Sequence, residues 1–282
     1  MTARIDPHAH TLHSDGTDTP SELIEAAVGA NLDVVGITDH DTTSGWGEAE
    51  AAAKDRGVGL IRGAEISTLG QGYPVHVLGL LFDGEDEALQ QIFFAARESR
   101  KTRLKKIADN LAADYPLVSW EDVVARAAGA PLGRPHLADE LVAKGYFKHR
   151  DEAFEWVLHP HGPYYERQHS VSPGEAVQAI RAAGGVAIFA HPRAEKRGRV
   201  IPLTVYDEMV DAGLFALEMD HRDHSEQARA EVLRLAKHYG VVVTGGSDYH
   251  GSGKPNRLGE NLTDPQVIAQ IEENSSLGIL RP

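Results

Sequence analysis

The sequence predicts an α/β fold in which short strands and helices alternate around a parallel sheet. Short β-branched runs alternate with helical stretches along most of the chain, a pattern typical of βα units. Several helical stretches also begin with recognisable capping residues. The length of 282 residues is ordinary for a single α/β barrel. We therefore expect one barrel domain rather than a series of small modules.

Seven short apolar runs are the candidate strands of this sheet. They cover residues 4–7, 33–38, 58–64, 75–80, 186–190, 214–219 and 241–245. Helix starts are predicted between several of them. Thr19 and Glu22 have the spacing of a capping box, Ser172 and Glu175 repeat it, and Asp264 stands before a proline at the start of a late helix.

The interval between the fourth and fifth candidate strands is too long for a βα loop and has a helical pattern. We interpret residues 87–165 as an inserted helical cap, and residues 1–86 and 166–282 as the barrel domain. The first cap helix contains a basic cluster, which is either a solvated helix face or a surface that faces an anion. The cluster consists of Arg97, Arg100, Lys101, Arg103, Lys105 and Lys106.

Charge and composition exclude several classes of protein. The 28 basic and 42 acidic residues give a formal net charge of −14, so a DNA-coating or membrane-surface protein is not expected. Bound divalent cations would add local positive charge that this count omits. The absence of cysteine excludes disulfides, thiolate metal sites and cysteine nucleophiles. No signal-peptide pattern and no run of about 18 apolar residues is present, which predicts a cytoplasmic protein.

Histidines stand beside carboxylates at the ends of several predicted strands. The chain has 15 histidines. In a βα barrel, the carboxyl-terminal edge of the strands is where active sites are built. His8 and His10 follow the first strand, and a two-residue spacing on an extended backbone turns both side chains to the same side. An isolated pair of this kind is weak evidence for a metal site.

Other strand regions bring the same types of side chain to this edge, and this coincidence predicts a polynuclear metal site rather than structural core histidines. Imidazole and carboxylate ligands without thiolate favour Mn²⁺, Fe²⁺ or Zn²⁺. Sites with several such ions suit hydrolysis. The further candidate ligands are Asp15, His40, Glu65, His76, His191, Asp248 and His250.

Taken together, these residues resemble the motifs of the PHP (polymerase and histidinol phosphatase) family of metal-dependent phosphoesterases. The similarity spans both ends of the chain in the order of the family's motifs. It implies a distorted seven-stranded TIM-like βα barrel with a trinuclear metal centre at its carboxyl-terminal rim. The implied ligands are His8, His10, Glu65 and Asp248 for one ion, Asp15, His40 and His250 for a second, and Glu65, His76 and His191 for a third, with Glu65 as the bridge.

Within the family, the helical insert around Arg134 is similar to a branch that includes nucleoside 3′,5′-bisphosphate phosphatases and short-RNA 5′ exonucleases. Other relatives hydrolyse AMP-like monoesters. The resemblance implies that a metal-bound hydroxide attacks the phosphate of a small nucleotide or of a short RNA 5′ end, without a catalytic side-chain nucleophile. Arg134 suits a two-pronged contact with phosphate. His161, where the cap rejoins the barrel, and His224, after a strand end, are further candidate substrate contacts.

Three alternatives remain at this point. A histidinol-phosphatase-like enzyme, or another phosphatase acting on sugar or amino-alcohol phosphates, would use the same ligands. An amidohydrolase-type barrel also begins with His-x-His and would hydrolyse C–N bonds, although Asp15, His40, Glu65 and His76 argue against it by forming a third metal site. A non-catalytic metal-binding module is disfavoured because all nine ligand positions are filled.

Overall fold

Seven strands form the sheet of the protein, and each strand pairs with the next one along the chain. The computed structural model describes residues 2–127, 132–159, 162–166, 170–194 and 200–282. Every strand overlaps one of the runs expected from the sequence, so the predicted α/β class with seven strands is confirmed. The strands are β1 (Ile5–Asp6), β2 (Val34–Ile37), β3 (Gly59–Gly70), β4 (Tyr73–Leu80), β5 (Val186–Phe189), β6 (Ala216–Asp220) and β7 (Val242–Gly245).

The expectation of an all-parallel sheet is wrong for β4, which runs antiparallel to both β3 and β5. The other neighbouring pairs are parallel. The cause is the connection between β3 and β4, where only Gln71 and Gly72 separate the two strands. Both have positive φ, 53° and 86°, as a tight hairpin turn requires. A two-residue hairpin leaves no room for the crossover helix that a parallel pair needs.

The two edge strands of the sheet meet just beyond their carboxyl ends, so the sheet is nearly closed into a barrel. Ala9, after β1, forms a parallel bridge with Tyr249, after β7. The Asp248 N–H donates to the carbonyl of His8 at 3.0 Å, and the His10 N–H donates to the carbonyl of Tyr249 at 2.8 Å. These hydrogen bonds hold the first and last candidate ligand segments side by side.

Ten helices lie in the described residues, and the three expected helix starts are confirmed. Thr19 and Glu22 cap each other reciprocally, and Ser172 and Glu175 do the same. The Asp264 side chain accepts from the backbone N–H of the second helical residue. None of the described helices is long and apolar enough to cross a membrane. The helices are α1 (Pro20–Gly29), α2 (Trp46–Arg56), α3 (Glu87–Leu111), α4 (Trp120–Ala127), α5 (Arg134–Ala143), α6 (Arg150–Trp156), α7 (Pro173–Ala182), α8 (Leu203–Asp211), α9 (Glu226–Tyr239) and α10 (Pro265–Glu273).

The chain forms two compact units. One consists of Met1–Phe94 and Val171–Pro282 and contains the barrel, and the other is the helical unit Ala95–Ser170. The helical unit begins later than residue 87 because Leu89 and Phe93, in the first turns of α3, pack in the hydrophobic core of the barrel. The helical unit has its own apolar core, built from α3, α4, α5, α6 and the segment after α6.

Gly36 on β2 allows the backbone of the first candidate ligand segment to pass close by. A Cβ at this position would lie 2.2 Å from the carbonyl oxygen of Pro7, the residue before His8. We expect Gly36→Ala to lower the free energy of unfolding by about 1–3 kcal/mol or more, because backbone must move to make room. Gly47 in α2 has open space around its Cα, so Gly47→Ala is the matched control and should have no destabilising effect. Urea unfolding of both variants measures the difference, and equal stabilities would contradict the expectation.

Candidate metal centre

His8 and His10 enter the candidate site side by side, as their spacing on an extended backbone predicts. Both are fully buried, and their Nε2 atoms lie 3.2 Å apart. At this distance both Nε2 atoms can direct a lone pair at one shared cation.

Glu65 lies at the centre of the candidate site. It is on β3 and its side chain is only 1% exposed. A buried carboxylate is costly unless charged or hydrogen-bonded partners surround it. Here the partners are imidazoles on five different ligand positions. Its Oε2 lies 3.3 Å from His8 Nε2, 3.0 Å from His10 Nε2 and 3.5 Å from His40 Nε2, and its Oε1 lies 2.9 Å from both His76 Nδ1 and His191 Nε2.

The antiparallel direction of β4 brings His76 to this group. His76 lies in the first half of β4 and pairs with Ser67, two residues beyond Glu65 on β3. In a parallel strand, the same early position would lie toward the opposite rim of the sheet. The reversed strand therefore delivers an early residue to the rim that the other strands reach with their carboxyl ends.

Asp15 and His76 are the candidate ligands nearest to solvent. Asp15 Oδ1 lies 3.0 Å from His250 Nε2 and 3.9 Å from His40 Nε2. The Asp15 side chain is 46% exposed and that of His76 is 27% exposed, whereas the other seven candidate ligands are at most 9% exposed. A small molecule could therefore reach the group past Asp15 and His76.

The donor atoms fit divalent cations in number, type and spacing. Three overlapping groups have ligand atoms within 4.8 Å of one another. The first equals the set expected for one ion, and the second contains the three residues expected for another ion together with His10. The third has His40 where His191 was expected, although His191 also contacts Glu65. The groups are His8, His10, Glu65 and Asp248; His10, Asp15, His40 and His250; and His40, Glu65 and His76.

The charges within the group are strongly coupled. Burial alone would raise the pKa of Glu65, but the imidazoles that surround it, His40 first among them, hold it well below its usual range. At His10, burial lowers the pKa, yet the hydrogen bonds that the ring donates to Asp248 and Glu65 raise it to about 9. At His40, burial prevails and the pKa lies well below its usual value. The carboxylate is thus ionised at neutral pH, and a cation that binds to His10 would displace its proton.

Two of the candidate ligands have a strained backbone. His191 has φ of 34° and Asp248 has φ of 52°, in the left-handed region that residues with a Cβ seldom adopt. Both stand directly after the regular part of the barrel, His191 after β5 and Asp248 after β7. Strain of this kind costs about 1–3 kcal/mol and is concentrated at functional sites.

Asp39 holds the loop that bears His10 and Asp15, a role that the sequence did not reveal. Its buried carboxylate accepts from the Thr11 N–H at 2.7 Å, from the Thr11 hydroxyl at 2.7 Å and from the Ser14 hydroxyl at 2.6 Å. Asp39 is adjacent to His40, so one turn both supplies a candidate ligand and fixes the loop of two others. The only signal for this role in the sequence was the position of an acidic residue directly before the candidate ligand His40.

His224, expected from the sequence to contact a substrate, has backbone partners at both of its ring nitrogens. Nδ1 donates to the carbonyl of Met219 at 2.7 Å, and Nε2 accepts from the Arg193 N–H at 3.1 Å. His224 is 5% exposed. Its two hydrogen bonds connect the turn after β5 to the end of β6. The other histidine proposed as a substrate contact, His161, lies outside the described residues.

Arg134 is the first residue of α5 and lines a cavity within the helical unit. The cavity has a volume of about 230 Å³, and Arg100 and Arg103 also line it. The Arg134 Nη1 donates to the carbonyl of Leu158 at 3.0 Å, and its guanidinium lies 5.7 Å from the centre of the Phe154 ring. Burial, followed by the positive charge of Arg103, lowers its pKa. Among the described residues no carboxylate pairs with Arg134, so a structural ion pair does not explain its position there.

Comparison with known proteins connects this site to an enzyme family. The model of the PHP domain matches residues 6–128. A 3′,5′-nucleoside bisphosphate phosphatase of Chromobacterium violaceum is 32% identical over 283 residues, which cover 99% of each chain. A 5′-3′ exoribonuclease of Haemophilus influenzae is 32% identical over 263 residues, covering 93% of this chain and 95% of its own.

Solved structures share the whole fold. A Bifidobacterium adolescentis protein assigned as a metal-dependent phosphoesterase superposes with a TM-score of 0.88 at 38% identity, over 96% of each chain. A Chromobacterium violaceum protein described as an amidohydrolase, with bound sulfate and no metal, superposes with a TM-score of 0.85 at 31% identity, over 99% of this chain and 98% of its own. The two curated relatives share more than 30% identity with this chain over nearly its full length, which establishes common family membership. The chain therefore belongs to the PHP family of metal-dependent phosphoesterases.

Proposed function

We propose that the protein is a phosphatase that removes a phosphate from a small nucleotide, a nucleoside 3′,5′-bisphosphate or AMP, with three divalent ions bound at the barrel rim. The observation that carries this proposal is the sharing of Glu65 between two of the three ligand groups. Mn²⁺, Fe²⁺ and Zn²⁺ all suit a site of imidazoles and carboxylates. When bound, such ions activate water and neutralise the charge that develops on phosphoryl oxygens.

The residues of the chain would divide the remaining work. The Glu65 carboxylate would hold two ion positions in a fixed relation through its two oxygens. Asp15 and His76, the more exposed ligands, border the side from which an ester can enter. No serine or cysteine nucleophile is required, because the attacking group comes from water. We propose Arg134 as the residue that grips a phosphate of the substrate, a contact for which a guanidinium is well shaped.

The nucleotide assignment draws on the relatives. The bisphosphate phosphatase similarity covers the whole chain, including the helical unit. The exoribonuclease similarity makes hydrolysis at the 5′ end of a short RNA the second candidate. The name of one structural neighbour keeps C–N bond hydrolysis as a reaction to be tested. A phosphatase for histidinol phosphate or for sugar phosphates would use the same metal ligands and differ only in the leaving group.

The first experiment is the release of inorganic phosphate from adenosine 3′,5′-bisphosphate and from AMP, with added Mn²⁺ and after chelation. Faster turnover of the bisphosphate, lost on chelation, is the expected result. An RNA oligonucleotide with a 5′-phosphate, histidinol phosphate and an N-acylated amino acid test the alternatives in parallel. Hydrolysis of the acylated amino acid alone would contradict the proposal.

Loss of the Glu65 carboxylate should disrupt two ion positions at once. We expect Glu65→Ala to lower the metal content and to reduce kcat by more than about 100-fold. Mutation of a residue that only supports a metal ligand typically costs up to about 100-fold, and loss of a ligand itself should cost more. Glu50→Ala is the control, because Glu50 pairs with Arg62 and, among the described residues, contacts none of the nine candidate ligands. Metal analysis and phosphate release measure both effects. Normal turnover by Glu65→Ala would refute its bridging role.

Removal of the Arg134 side chain should weaken substrate binding without affecting the metal. We expect Arg134→Ala to raise KM by about 10- to 100-fold, the range for a lost charge-assisted hydrogen bond. Arg150→Ala, which breaks an exposed ion pair with Asp139 in the same unit, is the matched control and should leave KM unchanged. Steady-state kinetics and metal analysis of the two variants decide. If Arg134→Ala loses metal instead, the arginine has a structural role.

A further inference from the structure

The end of β6 supplies none of the nine candidate ligands, yet two buried side chains there contact three of those ligands. Glu218 is 1% exposed and His221 is fully buried. We propose that both are positioning residues for the metal centre: Glu218 orients His8 and His191, and His221 orients Asp248. This inference rests on the metal centre of the proposed function, but not on its substrate.

Glu218 fixes which nitrogen of His8 can bind a cation. Its Oε1 lies 2.8 Å from His8 Nδ1. Because an ionised carboxylate can only accept a hydrogen bond, Nδ1 must bear the proton. The lone pair of His8 is then on Nε2, which faces His10 and Glu65 at 3.2 and 3.3 Å. This carboxylate–histidine arrangement is the outer-shell contact that orients metal-binding histidines in many proteins.

The second oxygen of Glu218 holds the strained turn at His191. Oε2 accepts from the His191 backbone N–H at 2.8 Å. The positive φ of His191 is unfavourable for a residue with a Cβ, so this buried hydrogen bond contributes to keeping the turn in place. The same turn directs His191 Nε2 to Glu65 Oε1 at 2.9 Å. One carboxylate thus couples a ligand that follows β1 to a ligand that follows β5.

Gly246, after β7, makes room for the contact between Glu218 and His8. A Cβ at this position would lie 2.5 Å from Glu218 Oε1 and 2.5 Å from His8 Cβ. Any side chain there would push the two partners apart. The glycine therefore belongs to the same arrangement as Glu218, although it bears no donor group.

His221 fixes the carboxylate of Asp248 in a similar way. The Asp223 N–H donates to His221 Nδ1 at 3.0 Å, so the proton of a neutral ring is on Nε2. Nε2 faces Asp248 Oδ2 at 3.4 Å, and Lys254 Nζ approaches the same oxygen at 3.3 Å. The other oxygen, Oδ1, is directed at His10 Nε2 at 3.3 Å. Oδ1 is thereby the oxygen presented to an ion.

The test compares the metal affinities of Glu218→Gln and Glu218→Ala with that of the wild-type protein. Chelator-treated full-length protein is titrated with Mn²⁺, and the number of ions and their Kd are measured calorimetrically. A glutamine has one acceptor oxygen and can serve only one of the two N–H groups, so we expect Kd to rise about 10-fold. Alanine serves neither, and we expect a rise of about 100-fold.

Glu140→Gln is the matched control. Glu140 is also a buried carboxylate, 2% exposed, but it lies in the helical unit and pairs with Arg126 and Lys144. This variant should lose thermal stability and bind Mn²⁺ as the wild type does. Glu218→Gln preserves volume, so it remains informative if Glu218→Ala does not fold.

A second readout separates positioning from simple stabilisation. Nitrogen-15 NMR of the Zn²⁺-loaded protein should show His8 with its proton on Nδ1 and the ion on Nε2 in the wild type, and an altered Nδ1 signal in the Glu218 variants. His221→Phe keeps the ring but removes the donor, so it should weaken Mn²⁺ binding while leaving the His8 signal unchanged.

Unchanged Kd and ion number in the Glu218 and His221 variants, with only the melting temperature lowered, would overturn the inference and leave the metal centre intact. A wild-type protein that binds no Mn²⁺ would overturn both. Metal binding without phosphatase activity would instead contradict only the proposed function.

Discussion

The Glu65 carboxylate, buried among imidazoles from five positions, is the constraint on which the rest of the barrel depends. An ionised acid in this environment needs positive charge or hydrogen-bond donors around it. The barrel satisfies this requirement by closing the sheet between Ala9 and Tyr249 and by reversing β4, which together direct residues from distant parts of the chain to one rim. Divalent cations would satisfy the same requirement and would also offset the negative charge of the carboxylates beside Glu65.

The rim is organised in two layers of contacts. The inner layer consists of the nine side chains whose donor atoms converge around Glu65 and Asp15. Around it lie Asp39, Glu218 and His221, each of which is buried and hydrogen-bonds to an inner side chain or to the loop that bears one. The loops after β1 and β5 contain tight or strained turns, to which Asp39 and Glu218 respectively are hydrogen-bonded. Polar groups can be buried at this density where hydrogen-bond partners surround them.

Much of the fold and of the inner layer could be predicted from the sequence, because both depend on local patterns. Strand runs, capping residues such as Thr19 and Glu22, and a histidine or acid after a strand are visible without three-dimensional information. The reversal of β4 depends on a two-residue turn whose backbone conformation was not recognised from the sequence. The reason that His76 reaches the rim was missed for the same cause. Glu218 and His221 were missed because their role arises from contacts with His8 and Asp248, far away in sequence. The backbone contacts of His224 could not be predicted, since its partners come together only in the folded chain.

Anomalous diffraction from crystals grown with Mn²⁺ locates each ion against its ligands. We expect three manganese peaks at the rim, two of which share Glu65 and one of which lies between Asp15 and His250. If no manganese peak lies among these side chains, or if Glu65 contacts none of the ions, the shared metal centre around Glu65 is contradicted.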